Sequence, residues 1–150
     1  LVKSNVQLDK IIEYISNGNL TDVGILVYYN DLVKQIRDYF QSRGIPVQWK
    51  TKDEMEIDFK STSPKIITWH CAKGLQFNDV FIPCCGLDEY KQYVQWSHEP
   101  MTEKKSALYV ATTRPLENLY LLYTNNLAPL LPNPNSPVYS GNAGTNSGPF

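Results

Sequence analysis

This sequence predicts an α/β domain with a mostly parallel sheet flanked by helices, and three observations predict it. Residues 23–29 (VGILVYY) form an unbroken apolar run, the pattern of a strand buried on both faces of a parallel sheet. A helix-spaced stretch and then Gly44-Ile45-Pro46-Val47 complete a strand–helix–strand unit, the building block of such sheets. Two further β-rich runs, residues 65–69 and 79–82, flank a polar cluster at residues 70–76. In open α/β sheets ligands bind beyond the carboxyl ends of the strands. A His, a Lys and a Gly in that cluster therefore stand where binding or chemistry is expected.

Taken in order, Ser4-Asn5-Val6-Gln7 has capping-box spacing, and Leu8, Ile11, Ile12 and Ile15 share the helical face that follows, with Gly18 as the stop. After the first strand, Asn30 or Asp31 is placed to cap a helix whose Leu32, Ile36, Tyr39 and Phe40 share a face, ending at Gly44. Residues 45–47 begin a short strand that Pro46 confines to a sheet edge. Residues 50–63 are polar and read as a surface loop with a few extended residues. Residues 65–69 are the next strand, residues 70–77 a tight turn with about one helical turn, and residues 79–82 another strand. A loop over residues 84–100 carries Tyr90, Tyr93 and Trp96. Thr102 caps a helix with Ala107, Leu108 and Ala111 on one face; Pro115 disfavours helical geometry at the residue before it, so Arg114 marks the helix end. Residues 119–123 (LYLLY) are a last buried strand. From Pro129 the chain is rich in Pro, Gly, Asn and Ser, which divides it into a folded domain, 1–127, and a disordered tail or linker, 128–150.

A chain of 150 residues is long enough for one domain's core. A net charge of −1 exerts no global pull toward nucleic acid or membrane, so any nucleic-acid contact is a local patch or half of a surface completed by another domain. No apolar run is long enough to span a bilayer, and no signal-peptide pattern opens the chain. Cys71, Cys84 and Cys85 are odd in number with two adjacent, which is no disulfide framework, and a cytoplasmic setting follows. A chain that opens on Leu1 reads as a piece of a longer polypeptide. His70, Cys71, Cys84, Cys85 and His98 include no C-x-x-C or H-x-x-x-H pair, which argues against zinc. A Cys71–His nucleophile is disfavoured because adjacent strand residues point to opposite faces.

Two stretches carry a more specific signal. Thr68-x-His70-x-x-Lys73-Gly74-Leu75-Gln76-Phe77, followed by Val80-Phe81-Ile82-Pro83, resembles motif V of the UvrD/Rep-like superfamily 1 DNA helicases, T-x-H-x-x-K-G-L-E-F and then an apolar strand. Leu108-Tyr109-Val110-Ala111-Thr112-Thr113-Arg114, followed by Leu119-Tyr120-Leu121-Leu122, is similar to motif VI, L-Y-V-A-x-T-R-A and then a strand. A weaker match, residues 24–30 with a helix and Gly44-Ile45-Pro46, resembles the segment that opens the family's second motor domain. Together the matches cover roughly residues 20–125, in the family's order.

The resemblance implies a RecA-like (P-loop NTPase-like) C-terminal motor domain of an ATP-dependent DNA helicase or translocase, inactive in isolation. Arg114 is implied as the arginine finger of an inter-domain ATP site, with Lys73, Gly74 and Gln76 on the nucleotide side and Thr68 and His70 on single-stranded DNA. ATP and Mg2+ are implied to be bound mainly by an N-terminal RecA-like domain of the same parent chain. The sequence has no G-x-x-x-x-G-K-[ST] loop of its own, since Lys73-Gly74 runs in the reverse order. Gln76 replaces the common Glu, Pro115 the common Ala, and Tyr28 an Arg frequent in the family. Those departures and the near-neutral charge leave a second reading, a degenerate helicase-like module that binds a partner or nucleic acid without catalysis. A third is a free-standing α/β binding domain with accidental likeness. Without the resemblance, Lys73-Gly74 is an ordinary turn pair and Arg114 a cation capping its own helix.

Overall fold

The computed structural model describes residues 5–51, 53–88, 108, 110–129, 131–133 and 135–138. Among them are α1 (Asn5–Gly18), β1 (Val23–Val27), α2 (Asn30–Ser42), β2 (Gln48–Lys50), β3 (Met55–Glu56), β4 (Lys65–Thr68), β5 (Phe77–Ile82) and β6 (Pro115–Leu121). The strands form one sheet in the order β3-β2-β4-β1-β5-β6. Every neighbouring pair is parallel except β2 with β3. β1 lies inside the sheet and all its residues are buried, as its unbroken apolar run requires.

α1 and α2 share one face of the sheet, because Tyr39 of α2 donates a hydrogen bond to the Asp9 carboxylate of α1, and Arg43 reaches the same carboxylate at 3.2 Å. The connection from β1 to β2 moves across the sheet one way and that from β4 to β5 moves the other way. Right-handed crossovers therefore put α2 and residues 69–76 on opposite faces. Gln7 is buried on α1, where apolar spacing gives no reason for it. Its amide accepts from the Cys84 backbone at 2.8 Å and donates to Thr124 Oγ1 at 3.0 Å, pinning the helix to the chain just past β5 and β6.

α2 ends as its glycine predicts. Gly44 has φ 71°, its N–H bonds Gln41 O, and Ile45 N–H bonds Phe40 O, both at 3.0 Å. That is a Schellman ending, and the left-handed residue is the one that lacks a Cβ. The helix start differs from expectation. Tyr29 is the N-cap and makes no side-chain cap; Asn30 is already helical and Asp31 sits in the first turn, where a carboxylate favours the dipole.

The next strand also begins later, at Gln48. Ile45 N–H is spent on the helix end and Pro46 has none, so the ladder starts where donors are free, with Gln48 N–H on Pro64 O at 2.9 Å. This strand is not the edge, since β3 pairs outside it from within the expected loop. β5 begins two residues early, at Phe77. β6 departs most: it starts at Pro115 and forms the other edge, with Leu116 59% and Leu119 37% exposed. A proline is tolerated there because it opens an edge strand. Leu122, just beyond the strand, is fully buried, and Tyr120 stacks on Phe81 at 4.5 Å.

Past β6, Ala128 N–H bonds Cys85 O at 2.8 Å, and Leu131 packs against the core. The proposed cap at Ser4, the aromatics Tyr90, Tyr93 and Trp96, His98, Thr102, Ala107 and residues 139–150 lie outside the described residues. Among the described residues no helix is long and apolar enough to cross a membrane.

Gly24 in β1 is a packing requirement. A Cβ there would lie 2.5 Å from the Phe77 ring. Gly24→Ala is expected to destabilise the domain by about 1–3 kcal/mol, read as a lower urea midpoint with unchanged m-value. Adding Phe77→Leu should recover part of that loss.

Candidate functional site

Thr68, the last residue of β4, pairs with Val27 at the carboxyl end of β1. Asp79 of β5 pairs with Val23 at the amino end, and Phe77 lies further out. Residues 69–76 must therefore travel the height of the sheet, roughly 20 Å at about 3.3 Å per strand residue. Trp69 starts the descent in helical geometry (φ −53°, ψ −41°), its N–H on Val27 O at 2.8 Å and its indole N–H on Leu26 O at 3.3 Å. His70–Ala72 is a 3-10 turn with Ala72 fully buried. A type II turn follows: Lys73 has φ −58° and ψ 127°, Gly74 has φ 83°, and Leu75 N–H closes it on Ala72 O at 3.0 Å.

This path corrects the expectation that the whole polar cluster lies beyond the carboxyl end of the strands. Only its start does. There His70 is exposed with its ring 5.6 Å from Tyr28, and Tyr28 packs edge-on against Trp69 (5.2 Å) and Tyr29 (4.6 Å). Thr68 is 4% exposed, and its hydroxyl accepts from Cys71 N–H at 3.3 Å. Thr68 thus shapes the turn, while His70 is the side chain presented to solvent.

The turn that carries Lys73, Gly74 and Gln76 leads down to the opposite, amino end, and Arg114 meets it at Leu75. Leu108 and residues 110–112 are helical, with Leu108 and Ala111 buried. Arg114 then joins this helix to β6, its carbonyl accepting from Phe77 N–H at 3.1 Å. Its guanidinium donates from Nε to Val110 O (2.9 Å), from Nη1 to Leu75 O (3.4 Å) and from Nη2 to Thr113 Oγ1 (3.2 Å). The bond to Val110 is the helix-capping role that Arg114 has without any resemblance. All three acceptors are neutral, and no carboxylate pairs with Arg114 among the described residues. A guanidinium has five N–H donors, so two remain. The side chains of Lys73 and Gln76 are exposed and make no hydrogen bond among the described residues.

The structure therefore sets Arg114 against the turn that carries Lys73, Gly74 and Gln76, on the way to the amino end of the sheet, and leaves Thr68 and His70 at the carboxyl end. Sequence reasoning missed the Leu75 carbonyl, which is backbone and has no residue-type signature. It also missed Thr113, whose hydroxyl direction depends on how the helix ends. Lys65 is a further cation at the amino end, but a structural one. It is buried and donates to Ser61 O (2.9 Å) and Ser63 O (3.1 Å); burial pushes its ammonium below the usual lysine range, against Asp22 and Asp58. Cys84 and Cys85 are buried and Cys71 half-buried, and among the described residues no His, Cys, Asp and Glu group could hold a metal ion.

Residues 49–126, more than half of the chain, match the family model of the UvrD-like helicase C-terminal domain. That span includes all six residues assigned above to binding or chemistry. The chain is similar in structure to the C-terminal domain of a possible DNA helicase from Lactobacillus plantarum WCFS1, with a TM-score of 0.68 at 16% identity, covering 91% of this chain and 78% of that one. At that identity the likeness is one of fold, which is α/β and RecA-like. No curated protein matches.

Gly74 has open space around it, with nothing within 4 Å of an added Cβ, so only its φ of 83° demands glycine. Gly74→Ala is expected to cost about 1–2 kcal/mol of stability. Gly74→Asn should cost less, because asparagine tolerates this region. Equal losses in thermal unfolding would show that the turn is not what the glycine serves.

Proposed function

The chain belongs to the UvrD-like helicase C-terminal domain family, and we propose that it acts as the second motor domain of an ATP-dependent DNA helicase or translocase. In this reading the amino end of the sheet closes on a nucleotide held mainly by an N-terminal RecA-like domain of the same parent chain. The observation that carries it is the Arg114 guanidinium, held beside the Lys73–Gln76 turn by three acceptors that are all neutral among the described residues. Carbonyl and hydroxyl dipoles fix its place without cancelling its charge. A permanent planar cation with donors to spare suits the phosphate oxygens over which charge spreads during phosphoryl transfer. Gln76, exposed beside it, can bond a ribose hydroxyl, and Lys73 can meet phosphate. Mg2+ neutralises phosphate charge when bound, and in this reading it is held mainly by the partner domain. At the other end His70 and the turn amides are assigned to the single-stranded DNA backbone, a contact that positions without reading sequence.

One observation favours the non-catalytic alternative. Tyr28, where the family often carries Arg, is buried among aromatic rings, so this position offers no charge. Turnover decides between the two. In the full-length protein, Arg114→Ala should lower DNA-stimulated ATP hydrolysis on the order of a thousandfold while sparing nucleotide binding. Wild-type protein that binds nucleotide without turnover would favour the alternative, and unchanged turnover in the variant would remove Arg114 from this role.

His70→Ala should weaken single-strand binding in that protein through the loss of a hydrogen bond to the backbone. Unchanged affinity for single strands would take His70 off the DNA path.

A further inference from the structure

We propose that Thr113 is a positioning residue for Arg114, setting the guanidinium in the pose from which it meets the nucleotide. This rests on the Arg114 reading above. Thr113 Oγ1 donates to Val110 O at 3.0 Å and accepts from Arg114 Nη2 at 3.2 Å. A hydroxyl has one proton and two lone pairs. With the proton committed to Val110, a lone pair is turned toward the guanidinium and cannot rotate away without breaking the other bond. Arg114 Nε binds the same Val110 carbonyl at 2.9 Å, so backbone, hydroxyl and guanidinium close a small ring. Leu75 O holds the far side of the fork at 3.4 Å.

Thr113 and Leu75 hold opposite arms of one planar group while Val110 O holds Nε. Without Thr113 one arm is released, and the plane can rock about the Cδ–Nε bond. Thr113 is itself exposed, so its methyl contributes little packing and its hydroxyl carries the argument. Valine keeps the shape and removes the acceptor; serine keeps the acceptor and removes the methyl.

The test uses the full-length protein with saturating single-stranded DNA, measuring kcat and KM for ATP together with the thermal midpoint. Thr113→Val should lower kcat roughly 10- to 100-fold, the scale of an ångström-sized misplacement, with KM and the midpoint unchanged. Thr113→Ser should restore kcat. Equal impairment of the serine and valine variants, or a change confined to KM, would overturn the proposal. Full kcat in Thr113→Val beside an inactive Arg114→Ala would overturn it and leave the role of Arg114 standing. Full kcat in both would remove the two together.

Discussion

Parallel strands cannot be joined by a tight turn: the chain has to return from the end of one strand to the start of the next. Here that return is residues 69–76, shorter than the dozen or so residues usual for a crossover. A helix would not fit, so the descent is assembled from one helical residue, a 3-10 turn and a type II turn. Each piece is fixed by a backbone bond: Trp69 to Val27, Ala72 to Trp69, Leu75 to Ala72, and Phe77 to Arg114. One contiguous stretch thereby presents His70 at one end of the sheet and Gln76 at the other. The fold's separation of the proposed DNA and nucleotide sides follows from strand direction alone.

In the proposed function Arg114 has to reconcile two roles. A cation closing a helix contributes roughly 0.3–1 kcal/mol, whereas hydrogen bonds to charged groups contribute roughly 1.5–3 kcal/mol each. A phosphate arriving across a cleft therefore competes well against the helix end. Both interactions can also coexist, because three of the guanidinium's five donors are engaged among the described residues. Pro115 contributes by exclusion. Lacking an N–H, it cannot bond Ala111 O; that carbonyl accepts from Arg114 N–H at 3.3 Å instead, which leaves Val110 O to Thr113 and the Arg114 side chain.

The sequence made legible what depends on local chemistry. The β1 run, the Gly44 helix end and the arrest of the last helix at Arg114 each follow from residue type and spacing. What it hid depends on neighbours. β6 carries a strand pattern whether buried or at an edge, and only the sheet order assigns it to the edge. Tyr29 became the N-cap over Asn30 and Asp31 because the helix begins directly as β1 ends. Gln7 reads as the capping-box partner of Ser4 until Cys84 and Thr124, distant in sequence, take up its amide. For the site, the residue types were legible and their division between two ends of the sheet was not. That division follows from register, which the sequence of a single strand does not contain.

Register also decides what the two charge-altering departures do. Relative to the family's usual text, Tyr28 removes a cation and Gln76 removes an anion, so together they leave net charge unchanged. They do not compensate each other in place. Tyr28 belongs to the carboxyl end and Gln76 to the amino end, separated by more than a Debye length of about 8–10 Å at ordinary salt. Two carboxylates native to the amino end are turned elsewhere: Asp22 Oδ2 accepts from Asn78 N–H at 3.0 Å, and Asp79 Oδ1 from Asn118 at 2.9 Å. With a neutral amide at position 76, Lys73 and Arg114 face the proposed cleft without an acidic neighbour in the turn. In the proposed function that leaves the turn without a charge of its own to repel phosphate, while the loss of a cation at position 28 is felt at the DNA side.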